Sequence, residues 1–200
     1  MTRVIAGIAG GRRLSVPAGR DTRPTRDRAR EGLFATVQAV RGPLTGASVL
    51  DLYAGSGAVG LEALSRGADR ALLAEADPRA IRVIRANIAA LGLAGAHVAA
   101  DRVERVLARG PAGEQAGGAD GSRFDLAFAD PPYATAGEAV SAMLTVLITA
   151  GWLVPGALVV VERSTRSGPV CWPEGYAGDR SRRYGETTLW YGLATGALLA

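Results

Sequence analysis

Two hundred residues, 48% of them hydrophobic, suffice for one compact domain whose core needs no disulfide or metal staple. The single Cys171 excludes an internal disulfide, and one histidine beside one cysteine excludes a zinc site of the usual Cys/His kind, so no metal is expected. The net charge of +4 comes from 23 basic residues, all arginine. Nine of these against Asp21, Asp27 and Glu31 give residues 1–41 a charge of +6, leaving residues 42–200 at −2.

The chain begins without a long apolar stretch and soon meets Arg12 and Arg13, so no secretory signal is read and a cytoplasmic protein is expected. Val4–Ile8 and Leu14–Val16 flank Gly10-Gly-Arg-Arg13 and read as a short glycine-turned β-hairpin with a basic tip. Thr22-Arg-Pro-Thr25 leads into Arg26–Val40, where Ala29, Leu33, Phe34, Val37 and Val40 recur at helical spacing, with Thr25 as the expected cap. Residues 1–41 are thus read as a small hairpin-and-helix extension, and 42–200 as the main domain. Clustered arginines present planar, permanently charged forks that match phosphate oxygens. Arg3, Arg12, Arg13, Arg23, Arg26, Arg28 and Arg30 are therefore candidate nucleic-acid contacts, with an ordinary solvated face as the alternative.

From residue 48 strands and helices alternate: strand Ser48–Tyr53, helix Val59–Arg66, strand Arg70–Glu75, helix Pro78–Leu91, strand Ala96–Ala100, helix Arg102–Leu107. This rhythm predicts an α/β fold, a mostly parallel sheet with helices on both faces. Gly110–Ser122 lacks apolar periodicity and is expected as a mobile surface loop. Strand Phe124–Ala129, helix Glu138–Thr149, strand Ala157–Glu162 and a late strand Glu186–Ala194 follow. Ala139–Val161 carries no charge over a bilayer-spanning length, but Gly151 and Pro155-Gly156 divide it into helix and strand, so no membrane span is expected.

Asp51-Leu-Tyr-Ala-Gly-Ser-Gly-Ala-Val-Gly60 follows an apolar strand and opens a helix. Its glycines allow a tight turn and close approach of a ligand to backbone. The pattern also satisfies a dinucleotide fingerprint through Gly55, Gly57 and Gly60. A carboxylate at Asp51 opposes a pyrophosphate but attracts the cationic methionine end of S-adenosylmethionine, which favours the methyl donor. Glu75, ending the second strand, is placed for ribose hydroxyls. Asp101 is read either as an acceptor for the adenine amine or as a cap on the next helix. Tyr53, Ser56, Ala76 and Arg102 complete the candidate cofactor contacts.

Asp130-Pro-Pro-Tyr133 follows another apolar strand at the same edge of the sheet. Two prolines hold the backbone extended and remove two amide donors, leaving carbonyls such as that of Pro131 to accept from an incoming amine. An aromatic amine whose two hydrogens go to Asp130 and to that carbonyl is oriented for methyl transfer, and orientation is the main catalytic device. With a reference pKa of about 3.9, Asp130 is a weak base, so proton loss is expected after transfer. Tyr133 is read as a stacking surface for a flipped base, or as a core residue.

With both loops placed, the sequence resembles the RsmD family of bacterial small-subunit ribosomal RNA methyltransferases. The marks are Arg3-Val-Ile-Ala-Gly7, Gly11-Arg-Arg-Leu14, Thr22-Arg-Pro-Thr-Arg-Asp-Arg-Ala-Arg-Glu31, and Asp51–Gly60 running into Leu61-Glu-Ala-Leu-Ser-Arg-Gly67. Gly151-Trp-Leu153, Glu162 and Tyr184-Gly-Glu-Thr187 carry it further. The resemblance implies a class I Rossmann-like methyltransferase with a seven-stranded sheet, S-adenosylmethionine as donor, catalysis by Asp130, Pro131, Pro132 and Tyr133, and RNA contacts from the amino-terminal hairpin. It implies that the acceptor is the N2 amine of a guanine in 16S ribosomal RNA, free or within the small subunit or an assembly intermediate; a monomer is expected. The rival readings are a nicotinamide-dinucleotide oxidoreductase, a non-catalytic RNA-binding assembly factor, and an amine methylase of DNA adenine or cytosine or of protein glutamine.

Overall fold

The structure, a computed structural model, describes residues 2–17, 24–111 and 123–195, and only the backbone of residues 24–26. The elements in order are α1 (Pro24–Arg41), β1 (Ser48–Leu52), α2 (Ala58–Ser65), β2 (Arg70–Glu75), α3 (Pro78–Leu91), β3 (Ala96–Ala100) and α4 (Val103–Ala108). They are followed by β4 (Phe124–Ala129), α5 (Gly137–Thr149), β5 (Leu153–Ser164), β6 (Tyr176–Tyr184) and β7 (Thr187–Ala194). α1 starts on Pro24, so Thr25 lies inside the helix instead of capping it. Proline suits that first position because its missing N–H would have no partner there.

The seven strands form one sheet in the order β3-β2-β1-β4-β5-β7-β6. β3, β2, β1, β4 and β5 are mutually parallel, while β7 runs antiparallel to both neighbours. Alternate side chains of the buried strands feed two cores. On one face Val49, Leu73, Leu126 and Val160 pack against Leu33, Phe34 and Val37 of α1, Leu61 and Leu64 of α2, and Ile84 of α3. On the other, Leu50, Leu72, Ala127 and Val159 meet Val103 and Leu107 of α4 and Leu144 and Leu147 of α5. The uncharged window 139–161 resolves into most of α5 and most of β5, and no described helix is long and apolar enough to cross a membrane.

Two elements depart from expectation. β6 is a strand that the sequence pattern does not reveal, since all of its residues from Ala177 to Arg183 are exposed. β5 begins at Leu153, ahead of Pro155-Gly156: Phe124 pairs with Leu153 and Leu126 with Leu158, and the bulge between them absorbs both breakers.

The amino-terminal segment is a hairpin in its hydrogen bonds but not in its strands. A single bridge joins Arg3 to Arg13, with Val4 N–H donating to the Arg12 carbonyl at 2.9 Å and turns between. Val4, Ala9 and Leu14 are buried in the same core as α1 and α2. Glu62 of α2 anchors the segment: its Oε2 accepts from Ile5 N–H at 2.6 Å and its Oε1 from Ala6 N–H at 3.0 Å. Gly7, with φ 84°, lies so close to α2 that a Cβ would sit 1.8 Å from the Ser65 carbonyl oxygen. The loop 110–122 falls outside the described residues from 112 onward.

Candidate active site

β1 lies between β2 and β4, so Asp51 on β1, Glu75 at the end of β2 and Asp130 just after β4 stand side by side at the carboxyl edge of the sheet. Open α/β sheets bind ligands at this edge. Asp51 is 1% exposed, and its Oδ2 accepts from Gly60 N–H in the first turn of α2 at 2.8 Å. Burial pushes its carboxyl up to about 7; the Gly60 bond opposes the shift, and the charges of Asp130 and Glu75 add to it.

Glu75 binds the glycine loop directly. Its Oε2 accepts from Gly55 N–H at 2.8 Å, and its Oε1 from Ala76 and Asp77 N–H at 2.8 and 2.9 Å. The turn between strand and helix needs left-handed backbone at Tyr53 (φ 62°), Gly55 (φ 60°) and Gly57 (φ 77°). Tyr53 is the one non-glycine among the described residues in that region, a strain of about 1–3 kcal/mol concentrated at the site. At Gly57 a Cβ would also fall 2.9 Å from the Leu73 side chain, so the loop excludes side chains twice over.

Two adjoining cavities share Tyr53 and Asp130. One is lined by Asp51, Gly55, Ser56, Phe128 and Glu162, and is closed by Arg30 and Leu33 of α1 with Thr2, Val16 and Pro17. The other is lined by Glu75, Ala76, Asp77, Arg102 and Glu104, and by Pro131, Pro132 and Tyr133. Three carboxylates at the loop disfavour a pyrophosphate and favour a ligand with a sulfonium and an ammonium. A glycine loop beside Asp51 and a carboxylate at the end of β2 therefore fit S-adenosylmethionine. Among the described residues no cluster of His, Cys, Asp and Glu is placed to hold a metal ion.

In the Asp130 loop, Thr135 N–H donates to the Pro132 carbonyl at 2.8 Å, and Asp130 N–H reaches the Leu52 carbonyl at 3.4 Å. Pro131 is buried and Pro132 exposed, while Tyr133 is 67% exposed and hence no core residue. Asp101 lines neither cavity. Its carboxylate accepts from Arg102 N–H at 2.8 Å and pairs with Arg109; that backbone bond first, and then Arg109, keep it below the usual carboxylate range.

The arginines of residues 1–41 separate into distinct environments. Arg3, Arg13 and Arg28 are exposed. Arg12 is exposed too, but its guanidinium donates to the Ala90 and Leu91 carbonyls at the end of α3. Arg30 is 7% exposed and belongs to the cavity wall, not to a surface. Arg23 and the Arg26 side chain lie outside the described residues. Glu62 and Asn87 also hold the site's surroundings together, and neither stands out in the sequence. The Asn87 amide joins α3 to Ser15 and to the Ser56 carbonyl of the glycine loop, each at 2.9–3.0 Å. The only signal was a polar residue within an apolar helical face.

The sheet order, the glycine loop and the row of carboxylates together define an S-adenosylmethionine-dependent methyltransferase of class I. The chain belongs to the family described as Conserved hypothetical protein 95, whose model matches residues 2–192, the RsmD family of the sequence resemblance. It is 34% identical over 184 residues to ribosomal RNA small subunit methyltransferase D of Escherichia coli, covering 92% of this chain and 85% of that protein. Among solved structures it is similar to the Escherichia coli protein yhhF, with TM-score 0.80 and 31% identity over 98% of this chain and 99% of that one. It is also similar to a hypothetical protein of Thermus thermophilus, with TM-score 0.75 and 35% identity over 96% and 98% of the two chains.

Proposed function

We propose that this enzyme transfers a methyl group from S-adenosylmethionine to the exocyclic N2 amine of a guanine in 16S ribosomal RNA, with the small subunit or an assembly intermediate as its setting. The observation that carries the reading is the meeting of two loops: Asp51 with its glycine turn and Asp130 come from adjacent strands and line one cavity, and Asp130 also lines the adjoining cavity with Pro131 and Pro132. The Escherichia coli relative's name supplies the RNA, and the family resemblance supplies the guanine.

The bound donor supplies an electrophilic methyl on a sulfonium. Asp51 and Glu75 hold its two ends, and the carboxylates favour its positive charge. Asp130 accepts one hydrogen of the target amine, and the Pro131 carbonyl, to which no described residue donates, accepts the other. That pairing aims the nitrogen, whose lone pair is otherwise delocalised into the base. Once methylated, the cationic nitrogen releases its proton to Asp130 or solvent. Tyr133, exposed at the rim, offers a face for the displaced base to stack on.

Labelled S-adenosylmethionine, offered with 16S RNA, small subunits, DNA and protein, tests the reading when the product nucleoside is mapped by mass spectrometry. N2-methylguanine in 16S RNA is expected; label confined to DNA or protein overturns it. Asp130→Ala is expected to keep donor affinity within a few-fold while turnover falls by at least about a hundredfold. Unchanged turnover removes Asp130 from the mechanism.

A further inference from the structure

Among the described residues, the cavity at the glycine loop is lined by four charged side chains, Asp51, Asp130, Glu162 and Arg30. Three are acids. A ligand whose amino-acid end carries both an ammonium and a carboxylate meets ample negative charge for the first and one cation for the second.

That cation is held unusually. α1 carries Arg30 into the interior, where it is 7% exposed. Its Nη2 donates to the Arg3 carbonyl and to Asp27 Oδ1, the latter at 3.1 Å. Its Nε is buried with no hydrogen-bond partner among the described residues and lies 3.8 Å from Glu62 Oε2. Burial lowers its pKa, opposed by Asp27 and Glu62. A buried guanidinium with an unused donor is costly unless another acceptor completes it.

We propose that Arg30 binds the carboxylate of the methyl donor and, through the Arg3 carbonyl, couples donor binding to the placement of residues 2–17. The inference rests on the methyl-donor reading. It moves Arg30 out of the RNA surface and into the donor site. Glu62 joins the same relay: it holds Ile5 and Ala6 by their amides and lies beside the Arg30 guanidinium. A donor carboxylate drawing Arg30 toward the loop therefore acts on a group that also fastens the amino-terminal segment.

The test compares equilibrium binding of S-adenosylmethionine with that of its decarboxylated analogue, which keeps the sulfonium and the amine. The wild-type protein is expected to prefer the carboxylate form by on the order of tenfold or more, the worth of a charged hydrogen bond. Arg30→Met is expected to bring the ratio close to one by weakening the carboxylate form far more than the analogue. A purely structural arginine would weaken both ligands alike, so Arg30→Met with the wild-type ratio overturns the proposal, as does a wild-type ratio near one. If Arg30→Met fails to fold by circular dichroism, Arg30→Lys, which keeps the charge and loses the fork, is read for the same ratio; an unreduced ratio overturns the assignment. Amide hydrogen exchange of residues 2–17 in the wild type reads the coupling: slower exchange with S-adenosylmethionine than with the analogue is expected, and equal exchange removes it. Failure of the wild type to bind either ligand refutes the methyl-donor reading itself, a result distinct from any of these.

Discussion

Asp51 illustrates how one residue sets both stability and ligand preference. Its carboxyl, at about 7 in the folded protein, ionises in the unfolded chain near the ordinary aspartate value of about 4. A raised acid favours the folded state while it stays protonated. Stability without ligand therefore declines as pH rises from about 4 to about 7, and the full cost of a buried charge persists above that window. Asp51→Asn keeps an oxygen for Gly60 N–H and removes the charge, so it is expected to melt above the wild type at pH 8, with the difference closing toward pH 4. Donor binding has the opposite dependence, since a cationic ligand is attracted by the ionised form. Affinity of the wild type for S-adenosylmethionine is expected to rise between pH 6 and 8 by on the order of tenfold, and that of Asp51→Asn to stay flat. Calorimetric titrations at several pH values check both slopes. The meeting of Asp51, Glu75 and Asp130 at one sheet edge was legible because each lies at or near the end of an apolar run, and strand ends at this edge have a known use. The places of Glu62 and Asn87 were not, and Arg30 was expected at a nucleic-acid surface instead of in a cavity wall, because a polar residue on an amphipathic helix reads as solvated until its neighbours are known.

At the scale of elements, the parallel strands β2, β3 and β4 and the helix α3 coincide with the predicted spans, since largely apolar runs bounded by turns leave little choice of ends. β6 escaped because an edge strand exposed along nearly its whole length has no alternation to read; its Arg180, Arg182 and Arg183 suit an edge that must not pair with another chain. Glycines gave no clue that Trp172 would need them: a Cβ at Gly192 or Gly178 would come within 2.8–2.9 Å of its ring. The amino-terminal segment was read as an appendage, yet its fit depends on α2. Glu62→Ala would strand two amides and leave Arg66, whose Nε lies 2.8 Å from Glu62 Oε1, without its ion-pair partner. Removing one member of such a buried network costs about 3–5 kcal/mol, so a clear fall in Tm is expected. Limited proteolysis should then cut within residues 2–17 before the sheet. Resistance equal to the wild type would mean that the apolar contacts of Val4, Ala9 and Leu14 suffice.

For the whole molecule, the uneven charge of residues 1–41 acquires a location. Arg3 and Arg13 face each other across the one antiparallel bridge of the amino-terminal segment, which puts their side chains on one face. Both are exposed, and neither forms an ion pair among the described residues. Like charges placed opposite each other cost stability, and a bound external anion such as a phosphate would relieve that cost. Arg12 is a poorer probe, because its bonds to α3 mix structure with any role in binding. The double variant Arg3→Gln, Arg13→Gln is expected to keep or slightly raise Tm while weakening RNA binding. Each lost phosphate contact lowers the slope of log K against log salt by about 0.7–0.9, so the pair should flatten it by about 1.5. Donor affinity, set at the other end of the Arg30 relay, should not change. A titration of labelled RNA between low and moderate salt separates the cases: a parallel downward shift would implicate shape or hydrogen bonding, and an unchanged line would leave this arginine pair without a phosphate to hold.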